Sequence, residues 1–67
     1  MNHLTFEPDR HIPGWINVFV DGRLVGELFM EGGKWHFRKL DHVPMLSAAV
    51  MNQIAREVAN KHAKGTR

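Results

Sequence analysis

Asp21-Gly22 separates two runs rich in apolar and β-branched residues, 15–20 and 23–30, and Asp-Gly in that setting is among the strongest short-range hairpin signals. Gly32-Gly33 separates the second run from residues 34–40 in the same way and predicts a second hairpin. Two consecutive hairpins commit the chain to an antiparallel meander of three strands. Residues 3–7 alternate Leu4 and Phe6 with polar residues, which suits a fourth strand at the sheet edge. Pro8 ends that segment because proline cannot donate to a ladder. Residues 8–14 hold two prolines and a glycine and read as a loop.

Apolar patterning arbitrates the strand register. A two-residue Asp21-Gly22 turn would set Val18 opposite Val25 and mix apolar with polar side chains on both faces. A three-residue loop with Gly22 as a left-handed bulge sets Val18 opposite Leu24 and Ile16 opposite Gly26. One face then carries Ile16, Val18, Leu24, Gly26, Leu28 and Met30 with no polar side chain, so the bulged register is the expectation. A two-residue Gly32-Gly33 turn extends that face, with Met30 opposite Trp35 and Leu28 opposite Phe37. The other face would carry Trp15, Asn17, Phe19, Arg23, Val25, Glu27, Phe29, Lys34, His36 and Arg38.

The last segment predicts a helix. Pro44 restricts Val43 to extended conformations and suits the first helical position. Leu46, Val50, Ile54 and Val58 recur every four residues, with Met51 and Ala55 beside them, as one apolar stripe. Gln53, Arg56, Glu57, Asn60 and Lys61 lie largely on the opposite side, and Glu57 and Lys61 form a favourable i,i+4 pair worth about 0.3 kcal/mol. Lys61, His62 and Lys64 suit the negative end of the helix dipole, and Gly65 suits its terminator. The expected architecture is α+β: a three-stranded antiparallel meander, four-stranded if residues 3–7 join it, with one C-terminal helix packed on its apolar face. Residues 1–63 form the single βββα domain and 64–67 a basic flexible tail.

Composition narrows the function. At 67 residues, 43% hydrophobic and 24% charged, the chain is one small domain, too apolar to be disordered and too short for a second core. A domain this small buries only about 60% of its unfolded surface, so its core is thin. The absence of cysteine excludes disulfides and thiolate metal sites and fits a reducing compartment. No apolar run approaches the roughly 20 residues of a membrane helix, and the first residues lack a signal-peptide apolar region. A cytoplasmic protein is expected. The net charge of +2 is unevenly placed, with residues 1–33 holding two basic and five acidic groups and residues 34–67 seven basic and two acidic.

Catalytic and metal chemistry find little support in the residue inventory. Ser47 is the only serine, no nucleophile motif surrounds it, and helix capping explains it. The histidines (His3, His11, His36, His42, His62) show neither HxxxH on a helix nor HxH on a strand. His36 near the end of the third strand could meet a phosphate or act as an acid, but no spacing supports it. Glu27 and Glu31 share a face but are separated by Phe29, and Gly32-Gly33 joins two strands where a phosphate loop would open a helix. The expectation is a non-enzyme without metal or cofactor.

Three aromatics among charges on the outer sheet face resemble a recognition surface. Trp15, Phe19, Arg23, Phe29, His36 and Arg38 are the candidate contacts for a protein partner. A second copy could pair through the same face to complete a thin core. The alternative is DNA or RNA, with aromatics stacking on bases and Arg23, Lys34, Arg38, Lys61 and Lys64 meeting phosphates.

The segment WINVFVDGRLVGELFMEGGKWHF, followed by LSAAVMNQIAREV, resembles a pattern found in very short phage and prophage proteins: a DG hairpin with VG shortly after it, a W-x-F strand and one amphipathic helix. The resemblance spans about 45 residues and implies a small phage-type accessory protein. Such a protein acts by stoichiometric binding, as inhibitor or regulator of a host protein or of a defence complex such as a CRISPR effector. The strand-strand-strand-helix order is also similar to the arm-type DNA-binding domains of tyrosine recombinases, though the strands here are less basic. The double-stranded RNA-binding domain shares that order, but its first helix is missing here and VPMLSAAV stands in place of its lysine-rich helix start.

Overall fold

The computed structural model describes residues 3–65, with side chains through residue 62. Four strands, β1 (Leu4–Pro8), β2 (Ile16–Val20), β3 (Arg23–Glu31) and β4 (Lys34–Lys39), form one antiparallel sheet in the order β1-β2-β3-β4, and helix α1 (Ala48–Gly65) follows. The architecture is a small α+β domain: a four-stranded meander with a C-terminal helix packed against it.

Both tight turns contain two residues of positive φ, Asp21 (52°) and Gly22 (83°), then Gly32 (62°) and Gly33 (78°). These are the left-handed pairs whose twist matches that of the flanking strands. The β3–β4 hairpin has the expected register, with Met30 opposite Trp35 and Leu28 opposite Phe37. The β2–β3 hairpin does not. Asp21-Gly22 is a two-residue turn that pairs Val20 with Arg23 and Phe19 with Leu24, and the shift comes afterwards, so that Val18 faces Gly26 and Ile16 faces Leu28. The extra residue is Val25, on the strand and not in the turn. It enters the core at 6% exposure, while Leu24, expected inside, turns outward at 39%.

Val18, Leu28, Val50, Ile54 and Val25 form the buried core, with Leu4, Phe6, Ile16, Trp35, Phe37 and Val58 among the half-buried residues packed on it. Val50 and Ile54 come from the predicted helical stripe. Met51 and Ala55, expected beside them, are exposed, so the stripe is a narrow i,i+4 seam laid on the sheet. The helix meets the sheet chiefly at β4. There His62 Nε2 accepts the Trp35 amide at 3.3 Å, and Lys61 Nζ lies 4.9 Å from the Trp35 ring centre. The Glu57–Lys61 pair forms at 4.0 Å.

The helix begins later than Pro44. Ser47 is its N-cap: the hydroxyl accepts the Val50 amide at 3.2 Å and the carbonyl accepts the Met51 amide at 2.9 Å. Residues 44–46 are an arm without regular secondary structure, with the Lys39 ammonium tying its approach by donating to the Leu40 and Val43 carbonyls. Pro44 therefore serves the arm, because a chain leaving β4 must cross an end of the sheet before it can turn back. Replacing the cap, Ser47→Ala, is expected to lower stability by about 1 kcal/mol and the melting temperature by roughly 4–8 °C, read by thermal denaturation. Among the described residues no helix is long and apolar enough to cross a membrane. Of the expected basic tail at 64–67, residues 64 and 65 belong to α1 and residues 66–67 lie outside the described residues.

Candidate partner-binding face

Cross-strand partners share a face, so the ladder sets Phe29 beside His36 across β3 and β4, and Trp15, the residue just before β2, joins their row by stacking on Phe29. Trp15 and Phe29 stack with ring centres 4.8 Å apart and planes 18° apart, and Phe29 and His36 with centres 5.7 Å apart. Beside this row runs a polar one, Glu7, Asn17, Glu27 and Arg38. Arg38 donates to Glu27 at 2.7 Å and its guanidinium sits 5.9 Å from the centre of the Trp15 ring. Four of the six expected contact residues thus form one cluster on the outer face.

The cluster is held in place from both ends. Before Trp15, the Asp9 carboxylate accepts the amides of His11 and Ile12 at 2.7 and 2.9 Å. The Asp9 amide donates to the Trp15 carbonyl at 2.8 Å. Those two amides, His11 first, hold the Asp9 carboxyl below the usual carboxylate range. At the far end His36 donates from Nε2 to the Glu31 carbonyl at 3.1 Å, which anchors its ring beside Phe29, the two planes inclined by 29°. The helix lies on the opposite side of the sheet. Among the described residues no element packs over the row.

The other expected residues fall elsewhere. Phe19 is on the outer face but is separated from the stack by the polar row, beside Thr5 and Leu24. Arg23, expected on the outer face, leaves it: as the partner of Val20 it lines a groove with Val25, Val43 and Pro44 at the helix side. Val25, also expected outside, belongs to the core. Lys34 stands at the margin opposite Glu31. Lys61 is on the helix side, engaged with Trp35 and Glu57, and the Lys64 side chain lies outside the described residues. The missed member of the face is Leu24. Reading Asp21-Gly22 as its usual two-residue turn would have found it, because that turn pairs Phe19 with Leu24.

The face is not basic. Glu7, Glu27 and Glu31 stand against Lys34 and Arg38, and the better placed cation, Arg38, is already paired. Among the described residues no group of three His, Asp or Glu side chains is arranged to hold a metal ion. No family model matches the chain, and neither a curated protein nor a solved structure matches it significantly.

Proposed function

We propose that the protein is a non-catalytic module that docks a protein partner through the Trp15–Phe29–His36 row and Arg38, with Phe19 and Leu24 as an apolar extension. The carrying observation is the aromatic row itself, in which Trp15 and Phe29 are half-exposed and His36 is exposed. Tryptophan and arginine are the residue types that most often carry interface energy, and here each is held in position by neighbours before any partner arrives. Preorganisation of that kind lowers the ordering cost of association. The resemblance to short phage proteins supports a more specific role, stoichiometric inhibition or regulation of a host protein or defence complex such as a CRISPR effector.

Electrostatics weigh against the nucleic-acid alternative. A surface that releases counterions from phosphates needs several free cations, whereas this one has more carboxylates than cations. Titration of labelled random-sequence duplex and single strands is therefore expected to show no binding at about 50 mM salt, where phosphate contacts are strongest. Fluorescence anisotropy reads the result. Binding that appears there and collapses by about 200 mM would replace this proposal with a nucleic-acid function.

A further inference from the structure

The two edges of the sheet are treated differently. On β4 the outward amide of Trp35 is taken by His62, and Lys34, Arg38 and Lys39 line the strand, devices that discourage edge pairing. On β1 the ladder to β2 uses the odd-numbered residues: the Asp21 amide donates to the His3 carbonyl and the Asp9 amide to the Trp15 carbonyl, each at 2.8 Å. The N–H and C=O groups of Leu4 and Phe6 consequently point away from the sheet, and their side chains are only half-buried. Pro8 ends this free edge because it has no N–H.

We infer that β1 is a self-recognition edge that pairs antiparallel with β1 of a second copy about a two-fold axis at Thr5. The outward groups require Leu4 to exchange both backbone hydrogen bonds with Phe6 of the other copy, and Phe6 with its Leu4. That alignment is self-complementary in side chains. Leu4 meets Phe6 on the helix-side face, Thr5 meets Thr5 on the outer face, and His3 meets Glu7, a basic group opposite an acidic one at both ends. The helix does not obstruct it, since its main sheet contacts are at β4, the far strand. The two-fold axis is perpendicular to the sheet. Both helices therefore lie on one side of an eight-stranded sheet and both Trp15–Phe29 rows on the other, presenting two docking faces together. With Pro8 limiting the ladder to four backbone bonds, the dimer is a weak one that forms as concentration rises.

Two measurements test this on the intact chain. Sedimentation equilibrium should show the mass rising from 7.7 kDa toward twice that value as concentration increases. Over the same range NMR amide exchange should slow at Leu4 and Phe6, while Thr5 and Glu7, whose N–H groups already serve β2, stay protected throughout. Glu7→Lys should weaken association about fivefold, because two symmetry-related pairs are lost, and adding His3→Glu should restore it. A mass that stays at 7.7 kDa in concentrated solution, or association that protects residues of the outer face in place of Leu4 and Phe6, would overturn the inference.

Discussion

Gly26→Ala is expected to be among the most damaging single changes in this protein. A Cβ at position 26 would lie 2.5 Å from the Arg38 carbonyl oxygen and 2.6 and 2.7 Å from Cε1 and Cζ of the Phe37 ring. The ring can swing aside alone, but the carbonyl belongs to the β3–β4 ladder and moves only with its strand. Phe37 uses the space left by the missing side chain, lying over Gly26 while pairing with Leu28 at the centre of the core. Overpacking of this kind costs about 1–3 kcal/mol. A chain of this length has a total stability of roughly 3–10 kcal/mol, so the variant should melt some 5–20 °C lower. Thermal denaturation followed by circular dichroism decides it; an unchanged melting temperature would mean that the Phe37 ring does not occupy this space.

Gly26 also shows how far the sequence could be read. The apolar pattern determines which residues share a face, and that parity was recovered for Ile16, Val18, Gly26, Leu28 and Met30. A slip of two residues preserves parity. The expected pairing of Ile16 with Gly26 and the observed pairing of Ile16 with Leu28 differ by such a slip, which the pattern could not detect. What separates them is turn chemistry: Asp21 and Gly22 both adopt positive φ, and the sheet absorbs its extra residue at Val25. Only Leu24, Val25 and Arg23 changed sides, because they lie between the turn and the end of the bulge. The β3–β4 hairpin was legible in full because Gly32-Gly33 and the alternation in 34–39 favour one solution. The helix start was missed because proline is acceptable both at a first helical turn and in an irregular arm. Ser47 carried the better signal.

At the site, Trp15, Phe29, His36 and Arg38 were legible for the same reason of parity, while their contacts were not. No sequence pattern states that Arg38 is paired with Glu27, and this pairing engages the better placed cation of the outer face.

Leu28 and Phe29 are neighbours on one strand pointing to opposite sides, and truncating each should separate stability from binding. Leu28 is fully buried between Val18, Val50 and Ile54, so Leu28→Ala is expected to cost about 2–5 kcal/mol, enough to leave much of the protein unfolded. Phe29→Ala should behave differently. It loses the stacks on Trp15 and His36, worth about 0.5–1.5 kcal/mol each, on a face that contributes little to the core. The domain should remain folded with a modestly lower melting temperature. Partner affinity should fall much further, by about 30-fold or more, because an aromatic at the centre of the docking row typically contributes 2 kcal/mol or more. Circular dichroism gives the first quantity, and titration of a captured partner against wild type and Phe29→Ala gives the second. If Phe29→Ala unfolds as Leu28→Ala does, the outer row is a second core and not a docking surface. If it stays folded and binds as well as wild type, the partner is held elsewhere. Only a folded variant that has lost its partner fits a row of aromatics assembled for contact with another molecule.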